Sequence, residues 1–179
     1  SGRLSDAAVS IDQVGHDDPP FRKVESTKIY QGFVISVFNN EFEGPGGERL
    51  NRDVVHHPGA VTVVPVHDDG TVVLVRQYRA PIEDWLIEAP AGKRDVADEP
   101  PELTAHRELR EEVGLEAASM EPLIVLAHSP GFCDEHNHIF LATGLTPCER
   151  AVDGVEEEHM TIIHVPLAEV FDHIAAGRI

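Results

Sequence analysis

The stretch that decides the fold spans residues 92–115 and reads GKRDVADEPPELTAHRELREEVGL. Its second half, residues 102–113, has the apolar periodicity of an α-helix. Two prolines near the first turn and Asp98 as an N-cap mark the predicted start, and Gly114 marks the stop. The sequence therefore predicts one well-delimited helix after a polar loop.

This helix concentrates negative charge on one side. Glu108 and Glu112 are one turn apart, and Glu111 lies beside them. The opposite side is predicted to face the core through Leu103, His106, Leu109 and Val113. Neighbouring like charges on a helix cost about 0.2–0.5 kcal/mol per pair, so the arrangement needs a reason. A divalent cation supplies one, because Mg²⁺ prefers oxygen ligands and leaves room for a substrate phosphate. The alternative is a solvated face with arginines as charge partners.

The segment resembles the Nudix box, Gly-x5-Glu-x7-Arg-Glu-U-x-Glu-Glu-x-Gly-U, where U is aliphatic. Every position after the first glycine matches, but six residues instead of five separate Gly92 from Glu99. The resemblance implies that Glu108 and Glu112 are the principal metal ligands and catalytic residues. It further implies a metal-ligand role for Glu111 and for the backbone carbonyl of Ala91, and structural roles for Gly92, Glu99, Arg107 and Gly114, with Arg107 pairing with Glu99.

Strands are predicted on both sides of the box. The β-branched and aromatic runs that predict them are 28–43, 52–57, 60–66, 71–77, 123–127, 138–142 and 161–165, and a closing helix is predicted over 167–176. Without a regular βαβ rhythm, this order favours an α/β fold. With the resemblance, we expect a Nudix-type α/β/α sandwich with a mixed β-sheet, plus an N-terminal antiparallel β-sheet region. The expected divisions are a flexible N-terminal arm (1–22), N-terminal strands (23–58) and a catalytic domain (59–179).

Composition limits the class of protein. The 179 residues suit one globular unit, and 14 basic against 32 acidic residues give a formal charge of -18. Such acidity disfavours nucleic acid as a partner. Two cysteines are too few for a disulfide framework, and no apolar run is long enough to span a bilayer. We therefore expect a cytoplasmic protein with no membrane partner.

Flanking motifs resemble the ADP-ribose pyrophosphatase branch. They are Arg76-Gln77-Tyr78-Arg79 and Glu88-Ala89-Pro90-Ala91-Gly92 before the helix of the box, and Ser129-Pro130-Gly131-Phe132-Cys133-Asp134-Glu135 after it. The branch implies a homodimer whose amino-terminal strands cross over, Mg²⁺ as cofactor with Mn²⁺ as a substitute, and hydrolysis of ADP-ribose to AMP and ribose 5-phosphate. The substrate-binding residues it implies are Arg52, Asp53, Arg79, Phe33 (or Tyr30), Pro130, Gly131, Phe132 and Glu135, with Asp134 as a further candidate. For the two aromatics, ordinary sheet core is an equally weighted alternative.

A hydrolase also needs a base to accept a proton from the attacking water. Glu156, Glu157 and Glu158 follow a turn signal and are expected in a loop. By resemblance a glutamate of this loop is the base, and we choose Glu157, with Glu156 next.

The sequence is also compatible with other hypotheses. Cys133, His136 and His138 suggest a zinc site, although no fourth ligand has a convincing spacing. Beside ADP-ribose hydrolysis, two functions compete: hydrolysis of another nucleoside diphosphate sugar or dinucleotide, and non-catalytic binding of ADP-ribose. The intact carboxylates disfavour the binding module.

Overall fold

The structure is a computed structural model that describes residues 21–151 and 155–179, without the side chains of residues 155 and 156. The strands are β1 (Arg22–Gln31), β2 (Ser36–Glu43), β3 (Arg49–His56), β4 (Ala60–Pro65), β5 (Thr71–Arg79), β6 (Asp84–Glu88), β7 (Ala91–Lys93), β8 (Leu115–Ala127), β9 (His136–Pro147) and β10 (Thr161–Pro166). The helices are α1 (Pro101–Val113), α2 (Val155–Glu158) and α3 (Leu167–Ala175), and a short 3-10 turn covers Ala80–Ile82.

The described strands form three sheets. One has the order β7-β4-β9-β8, and it is mixed because β4 and β9 are parallel while the other pairs are antiparallel. The second has the order β10-β5-β6 and the third the order β1-β2-β3, and both are antiparallel. The predicted combination of a mixed sheet with an N-terminal antiparallel sheet is therefore confirmed.

Strand β5 shows how the layers are built. Val73 and Val75 belong to a core that includes Leu109 of α1, whereas Leu74 belongs to a second core that includes Val170 of α3. Alternate residues of a strand point to opposite faces of its sheet, so one helix covers each face. This arrangement is the expected sandwich, with α1 placed directly over the sheets.

Several local predictions were wrong. Residues 91–93, expected in a loop, form β7 because they pair with β4. Strand β8 begins at Leu115, eight residues before the predicted start, because pairing with β9 extends as far as Pro147. The expected loop at 156–158 belongs to the single turn of helix α2.

The N-terminal sheet lies where strands were expected, and most of β1 is exposed. It meets the rest of the molecule where Val55 of β3 forms a bridge with Cys133. The predicted arm falls almost wholly outside the described residues, and the proposed domain boundaries remain predictions. No helix in the described part of the chain is both long and apolar enough to cross a membrane.

Candidate active site

Helix α1 turns two of its glutamates toward the sheets. Glu108 and Glu112 are only 7 % and 4 % exposed, beside the fully buried Leu109. Leu103, expected in the core, is 56 % exposed. The predicted division of the helix into a core side and an opposite carboxylate side was therefore wrong, because the two glutamates continue the buried face where it reaches β7.

Gly92 makes this approach sterically feasible. A Cβ atom on Gly92 would lie 1.9 Å from Cδ of Glu108. Carbon atoms in contact are normally about 3.5–4.0 Å apart, so a side chain here would collide with the carboxylate. The backbone of β7 and the carboxylate of Glu108 can share this space only because residue 92 is glycine.

Glu112 is fixed against the same strand. The backbone N–H of Ala91 donates to Oε2 of Glu112 over 2.9 Å. Burial raises the pKa of Glu112 to about 8, and the charges of Glu108 and Glu157 act in the same direction, against the hydrogen bond from Ala91 and the charge of Arg79. The nearby positive charge is therefore too small to stabilise the ionised form of Glu112.

Arg107 holds Glu108 and Glu111 of the same helix. Its Nη1 lies 2.9 Å from Oε1 of Glu108 and 2.9 Å from Oε2 of Glu111. Its Nη2 lies 3.6 Å from Oε2 of Glu99, which is the contact expected from the sequence. Burial still raises the pKa of Glu108 to about 7, although Arg107 opposes the shift. Since Nη2 of Arg107 also lies 3.7 Å from Oδ1 of Asp95, one guanidinium serves four carboxylates.

These groups fit a divalent cation. Glu108, Glu111 and Glu112 of α1 and the Ala91 carbonyl offer the hard oxygen ligands that Mg²⁺ and Mn²⁺ prefer, and the carboxylates of Glu108 and Glu112 are desolvated. Within the described residues, no three His, Cys, Asp or Glu side chains are already gathered around one point suited to a metal. A cation would have to compete with Arg107 for Glu108 and Glu111.

The extra residue before the helix is absorbed in a turn. Asp98 has φ 61°, and the N–H of Glu99 donates to the carbonyl of Val96. Asp98 is therefore not the N-cap that was predicted, since Pro100 occupies that position. The hydroxyl of Thr104 donates to Glu99 and so ties the turn to α1.

Glu157 lies close enough to Glu108 and Glu112 for its charge to raise the pKa of both. It belongs to α2, which contacts β5. The side chain of Glu156 lies outside the described residues, and Glu158 is exposed. The charge of Glu157, one of the residues expected to provide the base, therefore acts on the carboxylates of α1.

Comparison with known proteins agrees with this geometry. A family profile described as NUDIX domain matches residues 56–178. The chain belongs to the Nudix family. It is 42 % identical over 159 residues to an ADP-ribose pyrophosphatase of Mycobacterium tuberculosis, covering 89 % of this chain and 77 % of that protein. It is 39 % identical over 158 residues to a methanol dehydrogenase activator of Bacillus methanolicus, covering 88 % and 85 %.

A solved structure described as an ADP compounds hydrolase matches with a TM-score of 0.74 and 25 % identity, covering 87 % of this chain and 83 % of that one. Nudix hydrolases generally need a divalent metal, which is consistent with the carboxylate-rich centre of this chain.

Arg79, expected to bind substrate, lies at the end of β5 near this Nudix centre. Its Nε and Nη2 donate to the two carboxylate oxygens of Glu88 over 2.8 and 2.9 Å. The positive charge of Arg79 also lowers the pKa of Glu112. Gln77, two residues earlier on the same face of β5, is buried, and its Nε2 has no hydrogen-bond partner among the described residues.

The loop after β8, where Pro130 and Gly131 lie, is docked on the N-terminal sheet. The N–H of Val55 donates to the carbonyl of Phe132, and the N–H of Asp134 donates to the carbonyl of Val55. Both carboxylate oxygens of Asp134 are engaged, one by the His56 ring and one by the His57 N–H. Asp134 therefore links β3 to the loop, and each of its oxygens keeps a second lone pair that can accept a further hydrogen bond.

Glu135 of the same loop lies between two histidines of the Nudix domain. Its carboxylate oxygens are 3.5 Å from Nδ1 of His57 and 3.7 Å from Nδ1 of His128. Nδ1 of His57 also accepts a hydrogen bond from the Gly59 N–H, so in the neutral ring it has no proton to give Glu135. Glu135 therefore keeps acceptor capacity for a substrate hydroxyl.

The residues expected from the N-terminal strands are exposed. Arg52 donates to the backbone of Asn51 and Asp53 accepts from Asn39, so their hydrogen bonds stay within the sheet. Phe33 is fully exposed and Tyr30 is 56 % exposed, which rules out sheet core for both rings. Within the described chain, no hydrogen bond or ion pair connects these four side chains to α1.

The zinc alternative gains no support. His136 contacts the carbonyl of Asp134, and the pKa of His138 is lowered by burial and by the neighbouring charge of Arg94. No metal-binding set of three side chains exists around these residues in the described chain. An adjacent arginine also disfavours a cation there.

Proposed function

We propose that this Nudix protein hydrolyses the pyrophosphate bond of ADP-ribose to AMP and ribose 5-phosphate, with Mg²⁺ as its metal and Mn²⁺ as a substitute. The observation that carries the proposal is the pair of buried carboxylates, Glu108 and Glu112, held against β7 by the space that Gly92 leaves. The substrate is supported by the relatives, since one is an ADP-ribose pyrophosphatase and another an ADP compounds hydrolase.

The carboxylates of α1 would bind the metal together with the Ala91 carbonyl. When bound, such a cation offsets the charge of the pyrophosphate and lowers the pKa of a water. Arg107 would be displaced from Glu108 and Glu111 and would keep its contact with Glu99.

Glu157 is the proposed base. The water oxygen forms a bond to one phosphorus, the bridging P–O bond breaks, and Glu157 accepts the proton of the water. The effect of its charge on the pKa of Glu108 and of Glu112 supports this role.

Substrate selection is proposed for residues around this centre. Arg79 would exchange its contacts with Glu88 for a phosphate, because a guanidinium binds either kind of oxygen anion. Phe33, or Tyr30, would stack on the adenine, and Pro130, Gly131, Phe132 and Glu135 would surround the terminal ribose.

A homodimer would complete the site. Arg52, Asp53 and the exposed aromatic rings lie on a sheet with little cover from its own chain, which suits a surface that serves a partner subunit. A cytoplasmic location without nucleic-acid or membrane partners remains part of the proposal.

A substrate panel tests the specificity. With Mg²⁺ present, ADP-ribose, NADH, UDP-glucose and diadenosine polyphosphates would be compared by kcat/KM for nucleotide release. We expect ADP-ribose to be the best substrate. If it were the poorest while another compound turned over rapidly, the second candidate function would replace the first, and no turnover of any compound would favour the binding module.

A further inference from the structure

Arg150, which was not singled out by the sequence, joins the metal helix to the segment that carries the proposed base. It lies between β9 and α2 and is partly buried. Its Nε donates to the carbonyl of Glu111 over 3.2 Å, and its Nη2 donates to the carbonyl of Glu157 over 2.9 Å. The same Nη2 lies 3.9 Å from the sulfur of Met160.

The contact with α1 uses the end of a helix. The last four carbonyls of an α-helix lack partners within the helix, and they carry partial negative charge. The Glu111 carbonyl is one of these four, and a guanidinium is a suitable donor for it. Gly114 allows the approach, because a Cβ there would lie 3.3 Å from Cβ of Arg150.

The contact with α2 stabilises a helix that is too short to be stable through its own hydrogen bonds. Helix α2 has four residues, so it makes very few hydrogen bonds of its own. The carbonyl of Glu157 accepts from Arg150 and also from the N–H of Met160. Met160 is buried in the core, so both partners of this carbonyl are anchored in the body of the domain.

We propose that Arg150 is a positioning residue, which holds Glu157 at a fixed distance from the carboxylates of α1 through one guanidinium shared between two backbone carbonyls. The proposal rests on the function proposed above, in which Glu157 takes the proton of the attacking water. Arg150 itself touches neither substrate nor metal in this account.

The role predicts a particular kinetic signature. The substrate would be bound by other residues, so KM and metal affinity should change little when Arg150 is replaced. A displaced base, in contrast, slows the chemical step, and a misplacement of 1 Å can cost roughly 100-fold in rate. We expect kcat of Arg150→Gln to fall roughly 10- to 100-fold.

The decisive experiment is a double-mutant cycle on the full chain with Mg²⁺ and ADP-ribose. It compares Arg150→Gln, Glu157→Gln and the double variant. If Arg150 acts through Glu157, adding Arg150→Gln to Glu157→Gln should change kcat by no more than about twofold. Losses that multiply would overturn the proposal, as would a wild-type kcat in Arg150→Gln.

Arg110→Gln is the matched control, because Arg110 is exposed on the same helix end and its side chain has no hydrogen bond among the described residues. It removes the same charge and should leave kcat close to the wild-type value. Arg150→Lys keeps the charge but loses the planar fork, and we expect kcat between those of wild type and Arg150→Gln. Full activity of the lysine variant would contradict a role that needs the fork.

Hydrogen exchange gives a readout that does not depend on activity. Amides of residues 157–160 should exchange faster in Arg150→Gln than in wild type or Arg110→Gln, with α1 unchanged, and equal rates would overturn the proposal. The cycle also separates two failures. If Glu157→Gln kept its activity, the base assignment would fall and this inference with it; if only Arg150→Gln kept it, this inference alone would fall.

Discussion

The carboxylate centre on α1 and the N-terminal sheet represent opposite ways of building a site. Glu108 and Glu112 are buried, crowded by β7 and held by hydrogen bonds and ion pairs. Phe33 is fully exposed, and the side chain of Arg52 donates a hydrogen bond to the backbone carbonyl of its neighbour Asn51. The carboxylate centre is preorganised within a single chain, whereas the N-terminal sheet leaves its side chains exposed to solvent.

This difference indicates how the work is divided. Buried, desolvated carboxylates bind a cation strongly and suit the part of the reaction that every substrate shares. Exposed rings and arginines cost little in stability and suit the recognition of one substrate. Changes to the buried centre should therefore affect both activity and stability, and changes to the sheet should affect KM alone.

The largest effect is expected for Gly92→Ala. The added Cβ would need the space of the Glu108 carboxylate, so the helix or β7 must shift. We expect kcat to fall about 100-fold or more, and the free energy of unfolding to fall by about 1–3 kcal/mol. Kinetics and thermal unfolding measure both effects. Gly131→Ala, which has open space around it, is the stability control, and equal melting temperatures for the two variants would contradict the steric account.

The pH dependence of the metal-free protein sharpens the comparison further. Burial raises the pKa of Glu108 to about 7 and of Glu112 to about 8, from 4.5 in an exposed glutamate. The folded state thus binds these protons more tightly than the unfolded state does. The contribution of the two groups to the free energy of unfolding is therefore greatest below pH 4.5 and is lost as pH rises to 8.

Thermal unfolding in EDTA measures this loss between pH 5 and pH 8, a range in which the shifted carboxylates titrate. Glu112→Gln removes one of the two titrating groups, so its melting temperature should fall less over that range than that of wild type. Added Mg²⁺ should restore wild type at the upper end. Parallel curves for the two proteins without metal would show that Glu112 is not desolvated.

The smallest effect is expected for Phe33→Ala. The ring is fully exposed, so the melting temperature should not change. Aromatic stacking contributes about 0.5–1.5 kcal/mol, so KM for ADP-ribose should rise roughly 2- to 10-fold while kcat stays the same. Phe171→Ala, an exposed ring on α3, is the matched control, and an equal KM change there would remove the stacking role of Phe33.

Much of this could be predicted because the box has fixed spacings. The helix and its glycine stop follow from local sequence pattern, and the Arg107–Glu99 contact was implied by the family resemblance. The burial of Glu108 could not be predicted from a helical wheel, because it depends on a glycine 16 residues earlier that lies opposite in the fold.

Contacts between distant segments were also missed. Arg150 follows a strand by three residues and resembles any surface arginine until the chain is folded. Asp134 was expected to face a ribose, but its position beside His56 depends on how β3 docks against the loop. Neither interaction leaves a periodic signal in the sequence.

The central claim is that the glutamates of α1 hold a divalent cation. Electron paramagnetic resonance of free Mn²⁺ during a titration tests it directly, with wild type and Glu112→Gln compared at the same protein concentration. We predict that wild type removes Mn²⁺ from solution and that Glu112→Gln binds it at least about 10-fold more weakly, with its fold intact. Equal Mn²⁺ binding by the two proteins would contradict the claim.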